Sequence, residues 1–446
     1  MMRALFSGVS GIKTHQTRMD VIGNNIANVN TVAYKSQSVT FKDVYYQTTQ
    51  TASGPNADTG KGGVNAQQIG LGSSVGAVST AIETQGATER TDNPYDLCLS
   101  GNSFFVVSNA GSTYFTRAGD FTVDESGALV TSGGASVLGW QVDDDGNVLK
   151  DRVTPLYATS DRFMYTAPSA THGVSISGNI KNSSTEASTF TIDFYDSVGN
   201  EYQAAITVEY AGTAAGVSSY TMTGGAITKN GEATGLAVDA GTSTLQFNSQ
   251  TGAPIADAMS YINLTFTDPG GENATDLANI GTDGNGQILM DARSLTNYNS
   301  DTKFENKLGI DGAGTAADPG SEKGKAAGKM TSVGINEEGQ LVASYNNGDV
   351  RTIGQIAVTT FANPSGLEKM GGNLYAATLN SGTFDGVGID VSTTGGKISS
   401  GYLEMSNVDL SSEFTTLITT QRGYQANSRI ITVSDTLLEE LINLKR

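Results

Sequence analysis

Apolar positions recur every seven residues at the two ends of this chain and every second residue between them. Toward the C-terminus, Leu410, Leu417, Tyr424, Ile431 and Leu438 keep one seam, which predicts a long helix facing a partner helix. Asp409 or Ser411 marks its start as a cap, followed by Glu413 in the first turn. Lys445 and Arg446 sit at the far end, where the helix dipole favours cations. In the first half the other inward positions are polar, namely Glu413, Thr420 and Asn427, so the apolar stripe is narrow. From Ile430 it widens through Val433, Leu437, Leu441, Ile442 and Leu444. A helix this polar at one end needs a partner to hold it.

Residues 3 to 29 supply a candidate. Leu5, Ile12, Met19 and Ile26 hold one seam position; Gly8, His15, Ile22 and Val29 hold the other. As a helix the segment is about 36 Å long. Gly8, Gly11 and Gly23 each cost it roughly 1 kcal/mol relative to Ala, so alone in water it is marginal. Two readings fit equally. One is an ordinary helical hairpin in a globular core. The other is a pair of terminal helices that order only inside an assembly. His15 reads as a register-setting or solvated residue rather than a ligand, since no second His is near. The run Gly23-Asn24-Asn25-Ile26-Ala27-Asn28-Val29-Asn30 ends the helix, because Asn tolerates left-handed backbone and caps with its side chain.

Residues 36 to 74 are rich in Gln, Ser, Thr and Gly and read as an extended connection with room for one short hairpin, lying along some other surface. From Val75 the period is two. Leu97-Cys98-Leu99 and Phe104-Phe105-Val106-Val107 are expected strands, with Cys98 as a small buried side chain. One hairpin device recurs: apolar strand, acidic turn, Gly, apolar strand. It stands at Asp124–Gly127, Asp143–Gly146, Asp196–Gly199 and Asn336–Gly339. Between 154 and 329 the texture changes to alternating segments such as Phe190 to Phe194, Ala205 to Tyr210 and Tyr261 to Phe266, separated by loops. It ends in the low-complexity stretch from Asp311 to Lys329. This predicts a separate all-β domain.

Composition narrows the function. The 446 residues exceed a typical single domain. Net charge is −19 with 16% charged residues, which argues against nucleic acid and against an anionic membrane. The 55 Gly residues show no period, as in turn-rich β proteins. A single Cys and two His, His15 and His172, leave no disulfide framework and little for zinc or acid–base work. No apolar run approaches a membrane span, and the start lacks the apolar core of a cleaved signal peptide. A calcium loop placing Gly146 sixth would begin at Gln141 and end at Arg152, so both decisive ligands fail. Acidic residues are plentiful enough for paired carboxylates, but nothing marks one pair out. No cofactor or metal is expected.

The two termini carry a resemblance. Asn24-Asn25-Ile26-Ala27-Asn28 with Thr31, Tyr34 and Lys35 resembles the N-terminal motif of the bacterial flagellar axial proteins, those of rod, hook and hook-filament junction. Where that family usually has Gly-Phe before the Lys, this chain has Ala33-Tyr34. Asn407-Val408-Asp409-Leu410, Glu413-Phe414, Gln421-Arg422-Gly423-Tyr424-Gln425-Ala426-Asn427-Ser428 and Leu438 to Lys445 look like its C-terminal motif. Gln68 to Gly72, Gly101 to Val107 and Ala118 to Phe121 also match. Length and Gly139-Trp140 with the acidic hairpin after it make the chain most similar to the hook members.

The resemblance implies a structural homopolymer, a helical tube that transmits torque from motor to filament. It implies hook cap, distal rod and hook-filament junction proteins as partners. Export would be by the flagellar type III apparatus without a cleaved signal peptide, to the flagellar hook outside the cell. The expected fold is mainly β with terminal α-helices and nested domains. Residues 1–35 plus 403–446 make an inner helical coiled-coil layer, 36–74 a connection, 75–153 plus 330–402 a discontinuous β domain, and 154–329 an inserted outer β domain. The alternatives are a distal rod or junction protein of the same family, or a secreted β-rich glycan-degrading enzyme.

Overall fold

The computed structural model describes residues 2–55, 60, 62–143, 146–182, 184–241, 243–255, 261–271, 273–281, 286–310 and 323–443. The chain divides into two units: Met1–Ser160, Val333–Ala343 and Arg351–Arg446 form the first, Asp161–Ser332 and Ser344–Val350 the second. Strands dominate, and the two long helices, Met2–Ala27 and Leu410–Asn443, lie at the chain ends, so the class is mainly β with terminal helices.

The first unit is assembled from both ends of the sequence. Ile398–Ser400 pairs with Leu97–Leu99, and Tyr402–Glu404 with Thr88–Arg90. Gly139 to Gln141 pair with Ile356 to Gly354, and Phe115 and Thr116 with Tyr375 and Leu374. The strand Phe104–Asn109 starts with four fully buried residues, as a continuous apolar run predicts for a strand covered on both faces. On one side Phe104, Val106 and Phe115 pack with Leu138, Phe361 and Tyr375. On the other, Phe105 meets Phe121 edge-on at 5.0 Å. Each such side chain contributes about 1.5–3 kcal/mol by leaving water. Trp140 is buried and donates from Nε1 to the Val387 carbonyl at 3.0 Å. Cys98 is a buried free thiol, and burial pushes its pKa up.

The recurring turns share one construction. Asp124, Asp143, Asp196 and Asn336 each accept the backbone N–H four residues on, at 2.7–2.8 Å. Gly127, Gly146, Gly199 and Gly339, three residues on, all take positive φ, from 79° to 93°. The side-chain oxygen fixes the turn, and glycine closes it at no steric cost.

Residues 36–74 are paired more extensively than their composition suggests. Gln37–Asp43 (β1) and Tyr46–Gln50 (β2) run out; Gln67–Gly70 (β3) and Ser73–Thr80 (β4) return. β1 pairs with β4 along its whole length, with one irregularity at Thr40/Phe41, and β2 pairs with β3. Backbone pairing accounts for this, since few side chains are buried: β2 and β3 are exposed throughout.

The second unit centres on a nine-stranded sheet among the described residues. Ser188–Tyr195, Glu201–Ala214 and Val217–Lys229 form an antiparallel meander. Its alternation is strict where sequence alternation is strict: Phe190, Ile192 and Phe194 point inward, as do Tyr202, Ala204, Ile206 and Val208. Gly173–Asn179 runs parallel to Gln287–Thr296. Of the low-complexity stretch, 311–322 lies outside the described residues, whereas Lys323–Lys325 is a strand paired with Ser169–Thr171.

Candidate functional site

The terminal helices pack against each other through small residues. A Cβ built on Gly8 would stand 3.3 Å from Ile431 Cγ1, and one on Gly11 would stand 2.7 Å from the Asn427 amide. From the other side, a Cβ on Gly423 would stand 2.7 Å from the His15 ring. Two of the glycines that weaken the N-terminal helix therefore let the partner approach; Gly23 has nothing within 4 Å. On the C-terminal helix the inward seam carries half-buried Leu417, Tyr424, Ile431 and Leu438. Beside it run Glu413, Thr420, Asn427 and Ser434, of which Thr420 and Ser434 are buried. Thr420 and Asn427 turn their donors onto their own helix, at Thr416 O and Gly423 O, so these polar positions pack without orphaned N–H or O–H groups.

The N-terminal helix has a second neighbour, the β1–β4 ribbon. Gly72 lies against the Ser10 hydroxyl, and Thr14 Oγ1 and Ser73 Oγ are 3.3 Å apart. The Phe41 ring meets His15 edge-on at 5.4 Å and lies 5.7 Å beneath the Arg18 guanidinium. His15 Nδ1 is buried with no hydrogen-bond partner among the described residues, and burial followed by the Arg18 charge lowers its pKa. Ile22 is buried at 3% exposure; Leu5, Ile12, Met19, Ile26 and Val29 are half-buried.

Beyond Ala27 the asparagine run forms an elbow. Asn28 Nδ2 donates to Asn24 Oδ1 at 2.6 Å, and Thr31 Oγ1 donates to Asn28 Oδ1 at 3.0 Å. Asn25 is fully buried. Its Oδ1 accepts from Gln37 N and from the Tyr34 hydroxyl, while Nδ2 donates to Gln37 O and Glu413 Oε1. Asn407 ties the other terminus in: its Oδ1 accepts from Ser36 N, and its Nδ2 donates to the carbonyls of Ala81 and Thr84. Asp409 caps the C-terminal helix by accepting from Ser411 N at 2.9 Å. Ala33 sits in the left-handed region at φ 53° and is 3% exposed.

The elbow ends on a buried ion triad that pattern reasoning did not single out beyond Lys35. Glu404 Oε1 takes the Lys35 ammonium at 2.7 Å and Gly86 N at 3.0 Å; Oε2 takes Arg117 Nε at 3.2 Å. Lys35 also donates to Thr84 O, and Arg117 to Gly101 O. All three side chains are at most 1% exposed. Burial lowers the Lys35 pKa against the opposing pull of Glu404. Every charge has a partner, which is the condition under which such a cluster is tolerated.

The same helices leave large apolar side chains in solvent. On the C-terminal helix these are Leu410, Phe414 and Ile418 in its first turns, then Ile430, Val433 and Leu437; Phe6 and Val9 add to them on the N-terminal helix. At about 100° per residue, the first trio lies to one side of the inward seam and the second trio to the other. Gln421, Arg422 and Ala426 of the motif are exposed, as are Asn24 and Ala27. Nothing is described for the Leu441 side chain or for residues 444–446. Among the described residues no helix is long and apolar enough to cross a membrane.

Family models match both termini and a stretch between them. Residues 5–35 match flagella basal body rod protein, 98–193 the flagellar hook protein FlgE/F/G D1 domain, and 399–444 flagellar basal body rod FlgEFG protein C-terminal. Curated relatives match end to end. The flagellar hook protein FlgE of Treponema pallidum is 35% identical and that of Borreliella burgdorferi 34%, each over the whole of both chains. The flagellar basal-body rod protein FlgG of Bacillus subtilis is 30% identical, also over the whole of both chains. With elbow, triad and packed termini built from the segments those models match, the chain belongs to the flagellar hook and rod protein family, on the side of the hook proteins.

Proposed function

We propose that this chain is the repeating subunit of a flagellar hook, a non-enzymatic building block that polymerises into a tube outside the cell. The observation that carries the reading is the exposed apolar surface on both flanks of the C-terminal helix, in a chain whose hook relatives match it end to end. Rows of Leu, Ile, Val and Phe standing in water mark an interaction surface. Because the flanks differ, contacts through them are head-to-tail, and a rotation between copies that does not close then gives a filament. The residues assigned to assembly are Leu5, Ile12, Met19, Ile22, Ile26 and Val29 with the motif residues Asn24, Asn25, Ala27, Asn28, Thr31 and Lys35, and Leu410, Phe414, Leu417, Gln421, Arg422, Gly423, Tyr424, Ala426, Asn427, Ile431, Leu438 and Leu441 on the C-terminal helix. Ile22 and the inward seam hold the terminal helices together; the outward residues meet neighbours.

In this reading the cap, distal rod, junction and type III export proteins are the partners, and 154–329 is an outer domain inserted into the β domain. The alternative within the family is the distal rod, which the FlgG relative supports at lower identity. The test is concentration-dependent polymerisation of the purified chain viewed by electron microscopy. Curved tubes are the expected result. A chain that stays monomeric at high concentration with its helices formed overturns the reading, and straight tubes favour the rod.

A further inference from the structure

A cavity of about 190 Å³ opens beside the elbow, lined by Asn28, Tyr34, Lys369, Gly372, Asn373 and Tyr375. The hairpin Glu368–Gly371 and Leu374–Ala376 builds one wall and sets Lys369 opposite Tyr375. Asn373 fastens this hairpin to the elbow by donating from Nδ2 to the Val32 carbonyl at 3.1 Å. The Lys369 residue is exposed overall, but its ammonium turns back over the Tyr34 ring, 4.8 Å from the centroid, and donates to the Lys35 carbonyl at 3.2 Å. No carboxylate among the described residues pairs with it. Burial lowers its pKa with no neighbouring acid to oppose the effect. Lys35, in the same elbow, has Glu404 for that purpose.

An ammonium has three donors, and one of these is used here. The Tyr34 face supplies attraction without an acceptor. The pocket is therefore a half-built anion site: one partly buried cation, a wall of backbone and aromatic edges, and room for a single side-chain tip. One ammonium suits a carboxylate, whereas phosphate sites usually converge several donors. The chain itself carries 45 acidic against 26 basic residues. Copies of net charge −19 repel when packed side by side unless acidic groups find such cations.

We propose that the Lys369 pocket receives an Asp or Glu side chain from a second copy of this chain. The proposal rests on the reading of the chain as a self-assembling subunit. The contact adds a polar specificity point to the apolar contacts of the helices.

The test uses assemblies of equal parts ¹⁴N- and ¹⁵N-labelled full-length chain, treated with a water-soluble carbodiimide that joins an amine to a carboxylate in direct contact. Mass spectrometry then maps the joined peptides. The expected result is Lys369 joined to an Asp or Glu in mixed-isotope pairs. Lys369→Arg should still assemble but lose that product, and Lys369→Gln should raise the critical concentration several-fold. Tubes in which other lysines join across copies while Lys369 joins to none overturn the pocket and leave the hook reading intact. Acetate that shields Lys369 in the monomer, with no cross-copy product in tubes, assigns the site to small anions and also overturns it. Failure to form any polymer overturns both.

Discussion

Lys35 and Glu404 stand 369 residues apart in the chain, yet their charged ends meet at 2.7 Å with neither side chain more than 1% exposed. Glu404 also holds Arg117, so a single carboxylate is the shared partner of two buried cations. The costs of removing them are therefore unequal. Glu404→Gln strands both cations and should destabilise the first unit by about 3–5 kcal/mol. Lys35→Met leaves the Glu404–Arg117 pair and the Gly86 N–H bond in place and should cost clearly less. Trp140 is the chain's single Trp and lies in this unit, so denaturant titration followed by its fluorescence reads both variants. Equal costs would mean that the three groups do not share Glu404 as described.

The glycines of the N-terminal helix separate into two kinds. At Gly11 a methyl group would meet the Asn427 amide, whereas at Gly23 there is open space. Gly23→Ala should therefore gain roughly 1 kcal/mol of helix stability from propensity alone. Gly11→Ala gains the same propensity but forces Asn427 aside, a packing cost of about 1–3 kcal/mol. Helical circular dichroism against temperature should rise in midpoint for the first and fall for the second.

Ala33 holds a left-handed backbone that glycine adopts without strain. Its neighbours Val32 and Tyr34 are anchored at their carbonyls by Asn373 and by Asn407 N, so the elbow cannot relax to relieve it. Ala33→Gly should stabilise the first unit by up to about 1 kcal/mol, since left-handed backbone costs an L-residue about 1–2 kcal/mol and glycine returns part of that as chain entropy. A lower midpoint in urea would count against it.

His15 gives the terminal helices a pH dependence whose sign follows from its burial. The imidazole lies between Gly423 and the edge of Phe41, neither of which titrates, and Arg18 is the charge that bears on it. Its folded pKa is lowered, while an unfolded His titrates near ~6.5. Between those values the unfolded chain binds more protons, so its contribution is intact above ~6.5 and is lost as pH falls toward the folded value. Corrected for the intrinsic rate, which itself falls with pH, hydrogen exchange of the helix amides should show excess opening at mild acid over neutral pH, and His15→Asn should remove the excess. An unchanged excess in that variant would assign the effect elsewhere.

How far the sequence revealed this arrangement depended on whether a residue's partner lay within reach of a local pattern. The heptad lines identified the helices, and Leu417, Tyr424, Ile431 and Leu438 are half-buried on the inward side, whereas Leu410, read as the first member of that seam, is 38% exposed at the helix start. The Asp-to-Gly spacing identified the turns, because cap and glycine sit three residues apart. Glu404 and Arg117 carried no such signal: at or just past the end of a short strand each looks like a surface charge, and they come from distant parts of the chain. β1 and β4 were hard to read because backbone pairing, which leaves little trace in composition, holds them together. The notch at Gly423 could be seen as a motif residue, but not as space for His15.

The two exposed flanks of the C-terminal helix lead to the sharpest test of assembly. Phe414 is 49% exposed and Leu437 45%, so in the monomer each lies partly in water. Replacing either by Ser should leave monomer stability within about 0.5 kcal/mol, as surface substitutions usually do. Ile22→Asp provides the contrast. At 3% exposure it places a charge inside the chain's own helix packing and should loosen the terminal helices before any neighbour is involved. In polymer, the flanks do not substitute for each other. A subunit with Phe414→Ser can still dock through its other flank, so it should add to a growing end and then fail to receive the next copy from its blocked side. Small amounts of either variant should therefore shorten tubes of the parent chain, and Phe414→Ser with Leu437→Ser combined should neither assemble nor shorten them. Tube lengths measured by electron microscopy across mixing ratios decide the matter. Tubes of parental length at equal mixing, with the variant incorporated, would show that these side chains face solvent in the assembly.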